Sequence, residues 1–298
     1  MSEDWQAASA PGRTRRVRAN HAKRRLRNGE PSIGTWLSLP SPEAAEYIAD
    51  LGFDWLTVDA EHNAIDITSL SRMFGVIAAT GTAPLVRIPW NTGENIKRVL
   101  DAGAWGIVVP MVNSRAEAEA AVSATKYPPR GTRSLGGGMR AIRWASTADE
   151  YSRHADDEIL VVLQIEHIDG VNIADEILSV PGVDACFIGP NDLAASMGIS
   201  LGIPLESDHP DLVAAVDEIK AACLRNGVAP GIHCSGPAGI NQRIAEGFQF
   251  LAMASELKFL LSGLQDGLRA VEWTPSPRTR IGDAATVAKA PTGDAVRY

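Results

Sequence analysis

Short apolar runs alternate with helical patterns along the chain from residue 33 onward. Each run is followed by a segment in which apolar residues recur every three or four positions, as in an amphipathic helix. The first four pairs are IGTWL with PEAAEYIADLG, FDWLTVD with ITSLSRMFGVIAATG, APLVRIP with ENIKRVLDAG, and AWGIVVP with RAEAEAAVSAT. After a loop the alternation resumes with ILVVLQIE, VDACFIG, VAPGI and FQFLAMA, and helices are predicted over 170–179, 191–197, 209–226, 237–246 and 256–270. The pattern predicts eight βα units.

The apolar segments carry few polar residues, which is typical of strands that are buried on both faces of a parallel sheet. Several helical segments are followed by glycine, which can end a helix in the left-handed conformation. These glycines are Gly52, Gly81, Gly103, Gly227 and Gly247. Eight units in about 240 residues predict a single (β/α)8 TIM barrel, an α/β fold, rather than two domains. A doubly wound open sheet is the alternative, although no glycine fingerprint follows the first strand.

The two ends of the chain differ from this repeating middle. Residues 1–30 are predicted to form an N-terminal extension, residues 31–272 the barrel, and residues 273–298 a loose C-terminal tail. Residues 13–27 hold eight Lys and Arg side chains and no acidic residue. This pattern favours a short basic surface helix that caps the fold, with an anion-binding or targeting arm as the alternative.

Charge and cysteine usage narrow the classes of function. The chain carries 28 Lys and Arg against 36 Asp and Glu, a net charge of -8, which disfavours nucleic-acid and anionic-membrane partners and favours small-molecule chemistry. Its three cysteines lack metal-ligand spacing, which favours a reducing compartment. Because no apolar run is long enough to span a bilayer and no secretory pattern is present, we predict a cytoplasmic protein.

Polar residues follow the predicted strands at the positions where barrel enzymes place their active sites. They are Asp59, Glu61 and His62 after strand two, Arg87 at the end of strand three, Gln164, Glu166 and His167 at strand five, and Gly189, Pro190, Asn191 and Asp192 at strand six. Asp101 precedes the fourth strand. Because the carboxyl ends of parallel strands meet at one end of a barrel, we expect these groups to converge there.

Two of these acids suggest a metal site. Glu166 and Asp192 follow neighbouring strands, so their oxygens are suited to share one hard divalent cation. Two carboxylates alone do not complete an octahedron, and water or substrate oxygens would fill the remaining positions. Helix N-capping is the alternative role of Asp192.

A histidine and an arginine suggest acid–base and anion chemistry. His62 is a candidate base, with Asp59 or Asp101 as the acceptor of its ring N–H, and a hydrogen-bonded residue at the barrel mouth is the structural alternative. Arg87 is suited to bind a substrate carboxylate or a developing enolate through its forked donors. An ion pair with an acid at the barrel mouth is the alternative for Arg87.

Together these segments resemble the HpcH/HpaI aldolase family, the metal-dependent class II pyruvate aldolases that include hydroxy-oxo-heptanedioate and 2-dehydro-3-deoxyglucarate aldolases. The matching segments run in order from about residue 31 to 270: SIGTW, GFDWLTVDAEH, PLVRIP, KRVLDAGAWGIVVPMV, EAEAAVSATKYPPRGTRS, VLQIE and GVDACFIGPNDLAASMG. The resemblance implies a barrel of the phosphoenolpyruvate/pyruvate type. It also implies a carbon–carbon lyase that cleaves or forms 4-hydroxy-2-oxo acids through a pyruvate enolate. The implied small-molecule partners are a 2-oxo acid, pyruvate or oxaloacetate, and an aldehyde, and oxaloacetate decarboxylation is implied as a further activity.

The resemblance further implies a role for each candidate residue. The implied ligands of Mg²⁺, Mn²⁺ or Co²⁺ are Glu166 and Asp192. The implied base is His62, working with Asp59 and Asp101, and Arg87 is implied to stabilise the enolate. The implied 2-oxo-acid pocket is lined by Arg87, Gln164, Gly189, Pro190 and Asn191. Relatives form hexamers built as trimers of dimers, which implies a homohexamer whose C-terminal helix packs on a neighbour.

The chain departs from the family pattern at a few places. It has His167 where the family usually has threonine, and Asn191 where a small residue is usual. The loop TRSLGGGMRAIRW and the basic extension are similar to fungal macrophomate synthase, a family relative that decarboxylates oxaloacetate and couples the enolate to a pyrone. The glycines at 136–138 predict a mobile lid or a plain loop that bears on substrate choice.

Three alternative functions are left open by the sequence. One is a synthase that, like macrophomate synthase, decarboxylates oxaloacetate and couples the enolate to a second substrate. Another is a CoA-using lyase of the citrate-lyase β-subunit type, although no basic nucleotide pocket is evident. The third is a non-catalytic protein on a barrel scaffold, because a fold alone does not prove a function.

Overall fold

Eight apolar segments form parallel strands that pair in chain order and close into a barrel. The computed structural model describes residues 17–136, 143–199 and 202–272. The strands are β1 (Ser32–Leu37), β2 (Trp55–Asp59), β3 (Ala83–Arg87), β4 (Gly106–Val109), β5 (Leu160–Ile165), β6 (Ala185–Ile188), β7 (Ala229–Cys234) and β8 (Phe250–Ser255). Strand β8 pairs with β1. The predicted (β/α)8 barrel is therefore confirmed, and the doubly wound open sheet is excluded.

Helices connect the strands and cover the outside of the barrel. Within the described residues they are α1 (His21–Arg27), α2 (Pro42–Ala49), α3 (Ile67–Thr80), α4 (Gly93–Ala102), α5 (Arg115–Thr125), α6 (Ala148–Glu158), α7 (Ile168–Asn172), α8 (Ala174–Leu178), α9 (Pro190–Ser196), α10 (Pro210–Asn226), α11 (Pro237–Ala245) and α12 (Glu256–Ala270). Most match the helical patterns of the sequence within a few residues. The segment predicted as one helix over 170–179 forms two short helices, α7 and α8, because the backbone leaves the helical conformation at Ile173.

Helix α6 is the element that the apolar pattern did not predict. Its sequence, ADEYSRHADDE, is dominated by charged residues, and few of its side chains are buried. A capping box fixes its start, because the Thr147 hydroxyl accepts from the Glu150 backbone and the Glu150 carboxylate accepts from the Thr147 backbone. The helix is therefore stabilised by the hydrogen bonds of its N-terminal capping box and by the packing of Tyr151 and Ala155, rather than by a wide apolar face.

The basic N-terminal segment covers the end of the barrel opposite to the carboxyl ends of the strands. The Asn20 side chain caps α1 and also donates to the carbonyl of Trp105, just before β4 (3.0 Å). Lys23 is buried and pairs with Asp184, just before β6, at 2.8 Å. Burial lowers the pKa of Lys23 even though this carboxylate is present. A short helix does form within the basic segment, as predicted, but its Lys23 side chain is buried rather than on the surface.

The described parts of the connection between α5 and α6 lie at this same N-terminal end. Arg133 donates to Asp101 (2.9 Å), and Trp144 stacks on Trp105 with ring centroids 4.6 Å apart. The prediction of a glycine-rich lid falls largely on residues 137–142, which lie outside the described residues. Both flanks of that segment are anchored at the N-terminal end, as expected for a connection from a helix to the next strand.

The chain divides into two units, Met1–Phe259 and Leu260–Tyr298. The first contains the barrel. In the second, the described residues continue α12 with the exposed leucines Leu260, Leu261, Leu264 and Leu268. The boundaries predicted at residues 30 and 272 stay predictions, and the loose tail predicted over 273–298 lies outside the described residues. Across the described part of the chain, no helix combines the length and apolarity that a membrane span requires.

Candidate active site

A small cavity of about 210 Å³ opens at the carboxyl ends of the strands. Its lining residues come from most of the eight strands or from the loops that follow them. They are Trp36, Ser38, Asp59, Arg87, Gln164, Phe187, Gly189, Pro190, Asn191, Asp192, Leu205, His233 and Ser255. The barrel therefore brings together many of the residues that sequence position selected.

Arg87 is held in a fixed orientation beside this cavity. Its Nε and Nη2 atoms each donate to one oxygen of Asp59 at 2.9 Å, and its guanidinium lies over the Trp36 ring, 4.6 Å from the centroid. Burial favours the neutral form of Asp59, but the hydrogen bonds and charge of Arg87 outweigh burial and hold the pKa of that carboxyl below its usual value. Within the described residues Nη1 of Arg87 makes no hydrogen bond, so its N–H groups are available to a ligand.

His62 is paired with Glu61 rather than with the predicted Asp59. The Nε2 atom of His62 lies 3.6 Å from Oε2 of Glu61, and this oxygen is also 3.1 Å from Nε of Arg87. The Asp59 carboxylate is already occupied by Arg87 and by the side-chain amide of Asn63 (2.7 Å). The His62 side chain is 64% exposed, so a substrate can reach it. Burial raises the pKa of Glu61, although the charges of Arg87 and His62 act against it.

Asp101 lies away from the cavity, contrary to the expectation that it supports His62. It is close to the C-terminal end of α4, and this end of the helix leads directly into β4 at the opposite side of the barrel. There its carboxylate accepts a hydrogen bond from the buried Arg133. Within one chain, Asp101 therefore cannot act on His62, because the two residues lie at opposite ends of the barrel.

Glu166 is buried and held by two donors. The Met111 backbone N–H donates to Oε1 at 3.1 Å, and the Gln164 side-chain amide donates to Oε2. Met111 has a positive φ of 53°, an uncommon conformation that aims its N–H at the carboxylate. Burial and the negative charge of Asp192 raise the pKa of Glu166 to about 7, against the hydrogen bond from Met111.

Asp192 completes the pair of acids expected to bind a metal. It lies in the first turn of α9, and that helix begins without a side-chain cap, so the N-cap role is not observed. Gly189 lets the backbone approach the pair, because a Cβ atom at this position would lie 2.4 Å from Oε2 of Glu166. Two neighbouring carboxylates without a cation between them repel each other, which is the electrostatic arrangement that a divalent metal relieves.

The donor set fits an open metal site rather than a closed one. Across residues 17–136, 143–199 and 202–272, no group of three or more His, Cys, Asp or Glu side chains is arranged to hold a metal ion. The protein would thus contribute two carboxylates, and water or substrate oxygens would supply the other ligands. The assignment of Glu166 and Asp192 as metal ligands stays a prediction.

Several residues of the cavity wall escaped the sequence analysis, and two of them carry ring nitrogens. Trp36 and His233 line the cavity but were not singled out, although each lies near the carboxyl end of its strand. Strand position was the available signal for His233, but the predicted seventh strand ended at Ile232, one residue too early. His167, which stands where the family usually has threonine, has a local structural role. Its Nδ1 atom accepts a hydrogen bond from the Asp169 backbone N–H at the start of α7.

Several known proteins are similar to this chain in both sequence and fold. The family model for HpcH/HpaI aldolase/citrate lyase matches residues 32–262. A hydroxypyruvate/pyruvate aldolase of Pseudomonas aeruginosa is 39% identical over 248 residues, 83% of this chain and 91% of that protein. A 4-hydroxy-2-oxo-heptane-1,7-dioate aldolase of Escherichia coli is 38% identical over 242 residues, 81% of this chain and 90% of that protein. The solved structure of an HpcH/HpaI aldolase/citrate lyase family protein from Burkholderia cenocepacia has a TM-score of 0.79 and 35% identity, covering 86% of this chain and all of that one.

Macrophomate synthase shares the fold as well. Its structure has a TM-score of 0.74 and covers 91% of this chain and 97% of its own, at 23% identity. At that identity the similarity shows a common fold and does not extend to the reaction.

Proposed function

The chain belongs to the HpcH/HpaI aldolase/citrate lyase family, and we propose that it is a divalent-metal-dependent aldolase that cleaves or forms 4-hydroxy-2-oxo acids through the enolate of pyruvate. The observation that carries this proposal is the convergence of the buried Glu166 with Asp192 and Arg87, which both line one small cavity. A fixed guanidinium next to a pair of cation-binding carboxylates suits a 2-oxo acid, whose keto oxygen gains negative charge when the enolate forms.

Glu166 and Asp192 would hold the metal, and Gln164 and the Met111 backbone fix the orientation of Glu166. When bound there, Mg²⁺, Mn²⁺ or Co²⁺ supplies a Lewis acid that favours ionisation of the 2-oxo acid. The pocket for the 2-oxo acid is lined by Arg87, Gln164, Gly189, Pro190 and Asn191.

Arg87 stabilises the enolate in this proposal. Asp59 engages Nε and Nη2, so the guanidinium is oriented before the substrate binds. The Nη1 donors are then available to the enolate oxygen without a change of rotamer, which is the preorganised arrangement that favours a developing negative charge. Asp59 thus acts as a positioning residue for Arg87 and not as a partner of the His62 ring.

His62 transfers the proton of the aldol hydroxyl. In cleavage it takes the proton from the C4 hydroxyl while the C3–C4 bond breaks, which leaves an aldehyde and the enolate. In synthesis the same proton returns to the new alkoxide. Glu61 is the carboxylate that stabilises the charged imidazole, and Asp101 has no part in the proposed site of a single chain.

Decarboxylation of oxaloacetate would give the same enolate without the hydroxyl proton, so we propose it as a secondary activity. The synthase-like alternative gains no further support, because macrophomate synthase is 23% identical to this chain and the similarity shows the fold alone.

Substitution of His62, the proposed base, should affect aldol cleavage more than oxaloacetate decarboxylation. We expect His62→Ala to lower cleavage of a 4-hydroxy-2-oxo acid by about 10²-fold, within the usual range for a general base. The same variant should lose far less oxaloacetate decarboxylation, because that reaction has no C4 hydroxyl proton to remove. The measurement is pyruvate release from both substrates, read through coupled lactate dehydrogenase.

The control is His154→Ala, which removes an exposed histidine from α6 at a distance from the cavity. It should leave both reactions at the wild-type rate. Equal losses of both reactions in His62→Ala would show that His62 has a structural role and no part in proton transfer.

The homohexamer and the cytoplasmic location stay predictions. The exposed leucines of α12 are compatible with a subunit contact, and the composition of the chain is compatible with a small-molecule enzyme.

A further inference from the structure

One wall of the cavity has no part in the chemistry described above. The proposed metal ligands follow β5 and β6. Across the barrel mouth lie Trp36 on β1, Ser38 in the loop after β1, and Ser255 at the end of β8. His233 on β7 joins this second wall and packs against both Trp36 and Phe187, with ring centroids 6.0 and 6.3 Å away. The wall formed by Trp36, Ser38, His233 and Ser255 is called the β7–β1 wall below.

The β7–β1 wall contains buried polar atoms that the protein does not satisfy. Nε2 of His233 and Nε1 of Trp36 are both buried and have no hydrogen-bond partner within the described residues. Buried polar atoms without partners are rare in folded proteins, and at a ligand cavity a bound group can satisfy them. The Trp36 atom is a donor only, and the His233 ring is hydrogen-bonded to the Ala254 backbone carbonyl, which makes Nε2 an acceptor.

The β7–β1 wall is also uncharged. Burial, together with the positive charges of Arg87 and Lys258, lowers the pKa of His233 to about 4 despite the hydrogen bond to Ala254, so the ring is neutral at pH 7. Arg87 is the one cation among the described lining residues, and it is already paired with Asp59. The wall therefore offers hydrogen bonds without a charge that would bind a second carboxylate.

We propose that the β7–β1 wall binds a hydroxyl group of the aldehyde substrate, so that the preferred aldehyde is a short, neutral hydroxyaldehyde. A hydroxyl both donates and accepts, which matches an acceptor on His233 and a donor on Trp36. An alkanal of the same size would leave both atoms unpaired, and an anionic aldehyde would find no cation on this wall. This inference rests on the proposed aldolase function and specifies its second substrate.

The test compares aldehydes of equal size with pyruvate as the other substrate. The kcat/KM for glycolaldehyde is divided by that for propionaldehyde, which has a methyl group in place of the hydroxyl. We expect this ratio to be at least about 30 for the unmodified protein, and His233→Leu should lower the ratio at least about 10-fold. His233→Gln, which keeps a hydrogen-bonding side chain, should recover much of the ratio. Because the ratio is taken within each variant, a general loss of activity does not affect it.

The matched control makes the same substitution outside the cavity, as His154→Leu, and should leave the ratio unchanged. An unchanged ratio in His233→Leu would overturn the inference. So would a change in the ratio of kcat/KM for hydroxypyruvate to that for pyruvate in His233→Leu with the aldehyde ratio intact, because the wall would then contact the hydroxyl of the 2-oxo acid.

A further measurement separates this inference from the proposed function. Exchange of the pyruvate methyl protons with deuterated water, followed by NMR in the presence of Mg²⁺, Mn²⁺ or Co²⁺, requires the enolate but no aldehyde. Exchange combined with an unchanged aldehyde ratio in His233→Leu contradicts the hydroxyl site alone. Absence of both exchange and aldehyde turnover contradicts the aldolase function, and the inference fails with it.

Discussion

Glu166→Gln is expected to reduce pyruvate release from a 4-hydroxy-2-oxo acid by about 10³-fold, equivalent to about 4 kcal/mol of transition-state stabilisation. The substitution keeps the size of the side chain but removes its charge. A neutral amide is a weak ligand for a hard divalent cation, and Asp192 would be left as the one carboxylate of the pair. Asp192→Asn should have an effect of the same kind.

Direct metal binding decides whether this loss has the proposed cause. Mn²⁺ titration followed by electron paramagnetic resonance should show tight binding to the unmodified protein and weak binding to Glu166→Gln. Glu246→Gln makes the same chemical change just after α11, where the glutamate pairs with Arg243 outside the cavity, and this variant should bind Mn²⁺ normally. Wild-type Mn²⁺ affinity in both Glu166→Gln and Asp192→Asn would show that these carboxylates are not the metal ligands.

Arg87→Ala is expected to damage both stability and activity. It leaves the buried carboxylate of Asp59 and the partly buried carboxylate of Glu61 without this cation, and breaking a buried ion pair such as Arg87–Asp59 costs about 3–5 kcal/mol of folding free energy. Loss of the donor to the enolate should also lower kcat by about 10²- to 10³-fold. The measurements are thermal unfolding and pyruvate release.

A double substitution separates the two effects. Asp59→Asn combined with Arg87→Ala removes one uncompensated charge, so the melting temperature should recover in part while activity stays low. Arg225→Ala removes a surface arginine that pairs with Asp175 and Glu218, and it should change neither quantity appreciably. If activity returned together with stability in the double variant, Arg87 would be a structural residue and would not stabilise the enolate.

The repeating apolar pattern predicted the barrel because each strand is buried on both faces and each helix presents an apolar stripe to it. The same pattern missed α6, where charged residues dominate and few side chains are buried. The sequence did contain a local signal for this helix, because Thr147 and Glu150 have the spacing of a capping box. In the N-terminal segment the pattern predicted the helix but not the burial of one of its side chains. Lys23 stands in a run of cations typical of a surface helix, yet it is buried beside Asp184.

Strand position predicted which residues share the cavity, but it did not predict which of them pair. Asp59 was expected to contact His62, yet the fork of Arg87 matches the Asp59 carboxylate better and occupies it, which leaves Glu61 for the histidine. Such competition depends on side-chain geometry that spacing does not show. Asp101 was also expected to support His62, but within one chain it lies near the C-terminal end of α4, opposite to the carboxyl ends of the strands.

The most direct test of the central proposal is metal-dependent pyruvate release. The purified protein is assayed with a 4-hydroxy-2-oxo acid and with oxaloacetate, in Mg²⁺, Mn²⁺ or Co²⁺ and after treatment with EDTA. We expect both substrates to yield pyruvate, EDTA to abolish the release, and added metal to restore it. Undiminished release in EDTA, or release from oxaloacetate alone with every metal, would contradict a metal-dependent aldolase.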